Sequence, residues 1–201
     1  MMVKMPRDPR TFLFAGVSAL AAMPALAHVQ EGQAAGFLTG LAHPVSGLDH
    51  VLAMIAVGLW GAQLGAPALW LLPVTFPLVM AFGGFLGLLG IPLPGVEAGI
   101  ALSALALGLA VATSWRPPLA VAALLVAAFA VFHGHAHGTE LPEGQSGLTY
   151  SIGFVVATGL LHLAGIGIGV IHRWPAGRTA LRGLGAGVAA GGVYFLWRAL
   201  A

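Results

Sequence analysis

Residues 117–140 read PPLAVAALLVAAFAVFHGHAHGTE, and this stretch decides the fold class. It is apolar from Pro117 to Phe132, and then His133, His135, His137 and Glu140 follow in quick succession. Pro117-Pro118 suits the first turn of a helix, where a missing N–H costs nothing. An apolar run of about 20 residues is enough to cross a bilayer. Ionisable side chains at membrane depth are expensive to place, so they mark function by default. His133 and His137 are four residues apart and Glu140 follows by three, so on a helix the three share one face. Two imidazoles and a carboxylate on one stripe form a facet for a divalent ion. His135 points elsewhere, and Gly134 and Gly138 are places where the helix can open.

A second cluster, His43-Pro44-Val45-Ser46-Gly47-Leu48-Asp49-His50, lies in another apolar segment. His43 and His50 are two helical turns apart and share a face if the helix continues. Asp49 points off that stripe and suits an outer role, fixing the tautomer of a neighbouring imidazole. The segment, Ala34 to Leu64, is too long for one straight span at about 1.5 Å per residue. Proline disfavours helix in the residue before it, so a break or re-entrant piece is expected near His43–Gly47. Interrupted helices at a buried site let free backbone face an ion instead of lipid.

The rest of the chain has the same character. Its 201 residues are 59% hydrophobic and 7% charged, against about 25% charged in a soluble domain. Six apolar segments are expected: Ala34–Leu64, Pro67–Leu89, Val96–Thr113, Pro117–His137, Gly147–Ile171 and Thr179–Trp197. Before them, Lys4, Arg7 and Arg10, an apolar stretch from Thr11 to Ala22 and Ala25-Leu26-Ala27 form a secretory signal with its cleavage site. The expected organisation is therefore a signal peptide over 1–27 and an all-α, six-helix transmembrane domain over 28–201. A cleaved signal places the mature N-terminus outside. Arg116, Arg173, Arg178 and Arg182 then fall inside while Glu97, Glu140 and Glu143 fall outside, the positive-inside pattern. Only Arg198 is on the wrong side.

Several classes are excluded. The absence of cysteine rules out disulfides and thiolate metal sites. Eight Lys and Arg without a basic stripe give no nucleic-acid surface. His162, within Leu160-Leu161-His162-Leu163, is either a further ligand or hydrogen-bonded across helices. His28, as the first residue after cleavage, would offer an amine and an imidazole for metal capture. The bland alternative is polar glue between helices, but such glue is normally one or two side chains. The residues alone therefore point to movement of a metal ion across a bilayer. The rivals are an intramembrane metalloenzyme and a metal-sensing or chaperone subunit.

The signal ending in Ala27-His28, His43-Pro44-x-x-Gly47-x-Asp49-His50, and Phe132-His133-Gly134-x-Ala136-His137-Gly138-x-Glu140 closely resemble the HupE/UreJ family, over essentially the whole chain. The resemblance implies a bacterial inner-membrane permease for Ni²⁺, or for Co²⁺, that serves hydrogenase and urease maturation. It implies metal-associated residues at His43, Asp49, His50, His133, His137 and Glu140, with the metal as cargo and no catalytic residues. Metal-delivery proteins or a second copy of the chain are the partners compatible with that role.

Overall fold

The computed structural model describes residues 33–141 and 144–201, all helix and short connections, with no strand among them. The proposed signal, His28 and Glu143 lie outside the described residues. Seven helices follow in order: α1 Gln33–Ser46, α2 Leu48–Leu64, α3 Ala68–Leu88, α4 Val96–Thr113, α5 Leu119–Thr139, α6 Gly147–Gly169 and α7 Pro175–Leu200. A single 3₁₀ turn, Val170–Arg173, joins the last two.

The long first segment is broken, as its length requires. α1 and α2 meet at Gly47 with a bend of 84°. The break falls one turn later than the proline suggests, because Pro44 lies inside α1. Ser46 Oγ donates to the His43 carbonyl at 2.6 Å and helps close the helix end. Gly47 itself is extended, with φ −103° and ψ 113°. α3 runs unbroken through Pro73 and Pro77.

Four helices are long and apolar enough to cross a bilayer: α3, α4, α5, and α6 with its 3₁₀ turn. The bent α1–α2 pair makes a fifth candidate. α7 occupies the sixth expected segment and has 26 residues, but its composition does not reach the same standard. The outer surface is apolar, with Leu78, Phe82, Leu124, Leu148 and Leu160 all exposed. Ser103, His133, Thr158 and His162 are buried instead. A bundle that shows apolar side chains outward and hides polar ones has lipid as its solvent. The chain is a multi-pass membrane protein.

Glycine sets the helix packing. A Cβ on Gly134 or Gly138 would run into the α3 backbone at Met80 and Gly84, and one on Gly83 or Gly87 would run into α5 at Val131 and His135. The register rises together on both helices, so α3 and α5 run parallel. Gly58 and Gly165 bring α2 and α6 together in parallel in the same way. Gly108 with Gly185 seats α4 against α7, here antiparallel. Backbones can approach this closely only where side chains are absent. Gly134 and Gly138 therefore do not open α5, which stays helical to Thr139.

α2 forms the centre. Met54, Val57, Leu59 and Trp60 on it are fully buried, joined by Phe76 and Leu72 of α3 and Leu107 of α4. A helix apolar on every side belongs in the middle of a bundle.

Candidate metal centre

Both histidine clusters reach the same end of the bundle. α5 delivers His133 and His137 on its inner face, both buried, and Glu140 stands just past its last turn. The break at Gly47 lets α1 and α2 approach α5 from two directions. The His43 ring lies 4.8 Å from the His137 ring, centroid to centroid. The His50 ring lies 4.6 Å from His137 and 4.7 Å from His133. His137 is thus flanked by one histidine from each half of the broken helix.

One set of atoms stands out. A ligand atom from each of His43, His137 and Glu140 lies within 4.8 Å of the other two. His43 Nε2 and Glu140 Oε2 are 3.1 Å apart, and His137 Nδ1 is 4.0 Å from the same oxygen. Opposed ligands on a first-row ion sit about 4.2 Å apart, twice a bond of about 2.1 Å. The widest separation here must therefore close by some tenths of an ångström around an ion. Both His137 nitrogens are buried without a hydrogen bond.

The neighbouring groups fix which nitrogens are free. His50 Nδ1 lies 2.9 Å from Asp49 Oδ1, which also accepts the His50 backbone N–H at 2.8 Å. The carboxylate can only accept, so the ring proton is on Nδ1 and the buried Nε2 keeps its lone pair. Asp49 thus pairs with the neighbouring imidazole, that of His50. Ser103 Oγ donates to the Ile100 carbonyl at 2.5 Å, so it accepts from His133 Nε2 at 2.8 Å. That leaves His133 Nδ1 as a buried lone pair without a partner.

Exposure falls along this series. The Glu140 side chain is 53% exposed and that of His43 25%. His50 is 12% exposed, and His133 is fully buried. The wall is aromatic, with the Phe154 ring centred 4.0 Å from that of His137 and tilted by 50°, and Tyr150 beside His43. A cavity of about 360 Å³ adjoins His137, lined mainly by apolar residues of α3, α5 and α6.

His162 is buried but apart. Its ring packs edge-on against Phe76, which also packs against His133, so Phe76 joins the two histidines without bringing them into contact. His135 is used elsewhere, since its Nε2 donates to the Ile91 carbonyl at 2.7 Å and ties the α3–α4 connection to α5. Ser103, Phe76, Tyr150 and Phe154 were not picked out by sequence reasoning. Only Ser103 carries a signal there, as a hydroxyl in the middle of an apolar helix.

Comparison with known proteins agrees with the motifs. The family described as HupE / UreJ protein matches residues 16–195. Protein HupE of Rhizobium leguminosarum bv. viciae is 48% identical over 176 residues, covering 87% of this chain and 92% of that protein. No solved structure matches. With its paired histidine motifs folded into one buried cluster, this chain belongs to the HupE/UreJ family.

Proposed function

We propose that this chain is a permease, not an enzyme, and that its cargo is Ni²⁺, with Co²⁺ as the alternative ion. The observation that carries the proposal is the convergence of His43 from α1 with His137 of α5 and Glu140 just past its last turn within 4.8 Å, at the exposed end of a buried histidine series. Imidazole with carboxylate suits nickel and cobalt, whereas soft thiolate is absent from the chain. In this reading Glu140 and His43 strip water from the ion at the mouth. His137, His50 and His133 then take it toward the midplane, with Asp49 and Ser103 holding two of the rings. Thr158 and His162 continue the buried polar surface beyond Phe76.

We place the protein in the bacterial inner membrane with six spans, α7 being the sixth, after a cleaved signal. His28 would then begin the mature chain in the periplasm and present a first chelate. The metal would serve hydrogenase or urease maturation through delivery proteins on the inner side. Asp49 and His162 stand as supporting positions in this scheme, and His43, His50, His133, His137 and Glu140 as ligands.

Purified protein in liposomes provides the test. Wild-type vesicles take up Ni²⁺ and His50→Ala vesicles fall to the protein-free background. Equal impermeability of the two, with both proteins folded and inserted, overturns the proposal.

A further inference from the structure

The opposite end of the bundle carries a second concavity, of about 450 Å³, lined by Gln63, Ser114, Arg116, His172, Arg173 and Arg178. Three guanidinium groups converge there with no acid to balance them. The acidic residues among those described are Asp49, Glu97 and Glu140. Asp49 and Glu97 begin helices whose far ends, near Gln63 and Ser114, border the concavity. Glu140 is separated from Arg116 by the whole of α5. At about 1.5 Å per residue each acid is more than roughly 20 Å away, beyond the Debye length of about 8 Å. Arg178 Nε is engaged by the His172 carbonyl at 3.2 Å. Arg116 and Arg173 make no hydrogen bond or ion pair among the described residues. A divalent cation would be repelled here and an anion attracted.

Two further observations narrow its chemistry. Gln63 is only 6% exposed, and its Nε2 donates to the Val111 carbonyl at 3.2 Å. Gln63 lines the concavity, and its Oε1 is buried without a partner. An occupant that brings a donor would satisfy that acceptor, which is costly to leave unpaired. The depth is marked by tryptophan. Trp60 stacks on Trp115 at 5.8 Å, and Trp115 and Trp174 are exposed beside the basic residues. Exposed tryptophans gather at the level of lipid headgroups.

We propose that this concavity binds the headgroup of phosphatidylglycerol, an anionic glycerophospholipid with a free hydroxyl. Arg116, Arg173 and Arg178 take the phosphodiester, for which guanidinium forks are well shaped. Gln63 Oε1 accepts a glycerol hydroxyl. Basic pockets between transmembrane helices at the inner face bind anionic headgroups in this manner.

Native mass spectrometry of the delipidated full chain in detergent tests the site, using phosphatidylglycerol, phosphatidylethanol (the same charge without the hydroxyl), phosphatidylcholine and inorganic phosphate as probes. The expected order of retention is phosphatidylglycerol, then phosphatidylethanol, then phosphatidylcholine, with about tenfold between first and last. Arg116→Gln/Arg173→Gln removes the preference for anionic lipid. Gln63→Leu removes the preference for phosphatidylglycerol over phosphatidylethanol. Arg198→Gln, at the far end of α7, changes neither. Equal retention of phosphatidylglycerol and phosphatidylcholine overturns the proposal, as does equal retention of the two anionic lipids. Displacement of bound lipid by millimolar inorganic phosphate also overturns it, assigning the pocket to a soluble anion. The lipid series on the unsubstituted protein decides the matter even if a variant fails to fold.

Discussion

At the scale of single residues, the candidate centre depends on side chains that hold other side chains. Asp49 orients His50 and Ser103 orients His133. Partners of this kind typically contribute 10–100-fold to metal affinity. Asp49→Asn, whose neutral amide is a weaker acceptor, should lower Ni²⁺ affinity by about that factor in equilibrium binding, with elution from a sizing column unchanged. Ser103→Ala leaves a fully buried ring nitrogen without its partner, so it should cost about 1–3 kcal/mol in chemical unfolding. The Asp49–His50 pairing was legible in the sequence, because neighbours in the chain must be near in space. Ser103 was not, since thirty residues separate it from His133 and no local pattern links them.

At the scale of elements, glycine decides where helices meet and where one stops. A Cβ on Gly138 would collide with the α3 backbone at Gly84, whereas one on Gly159 meets open space. Overpacking of that kind costs about 1–3 kcal/mol. Gly138→Ala should therefore lower the unfolding midpoint in detergent, and Gly159→Ala should leave it level or raise it. Gly47 acts differently. Its backbone is extended and tolerates a side chain, but a Cβ there would stand 2.9 Å from Asp49 Oδ1 and 3.1 Å from His50 Nδ1. Gly47→Ala should weaken Ni²⁺ binding while the unfolding free energy stays within about 1 kcal/mol of wild type. A binding defect that tracks loss of stability instead would place Gly47 with the packing glycines. The interruption of the first segment was readable from its length and its proline. Its place at Gly47 falls at the far edge of the expected stretch His43–Gly47, because Pro44 is accommodated inside α1.

At the scale of the whole molecule, charge and chemistry are segregated to opposite ends. Glu140 occupies one end with His43, His50, His133 and His137, and Arg116, Arg173 and Arg178 line a concavity at the other. The positive-inside bias predicts a cytoplasmic arginine end. Because the chain has no cysteine, single substitutions report this cleanly. In intact cells opened only at the outer membrane, a membrane-impermeant maleimide should label Thr139→Cys, whereas Thr113→Cys should react only after lysis. Labelling of Thr113→Cys with protection of Thr139→Cys would reverse the direction assigned to the ion path.

The amino-acid sequence by itself determined that the chain is helical and lives in lipid, and which residue types could meet a metal. Those properties depend on hydropathy and spacing within one segment, and they survive whatever the neighbouring helices do. Only the tertiary structure decided how the histidines are employed. His43 and His50 flank His137, His135 is spent on the Ile91 carbonyl, and His162 sits against the far side of Phe76. The physical reason is that these roles follow from how closely helix backbones approach, and that distance is set by pairs of small residues remote in the chain.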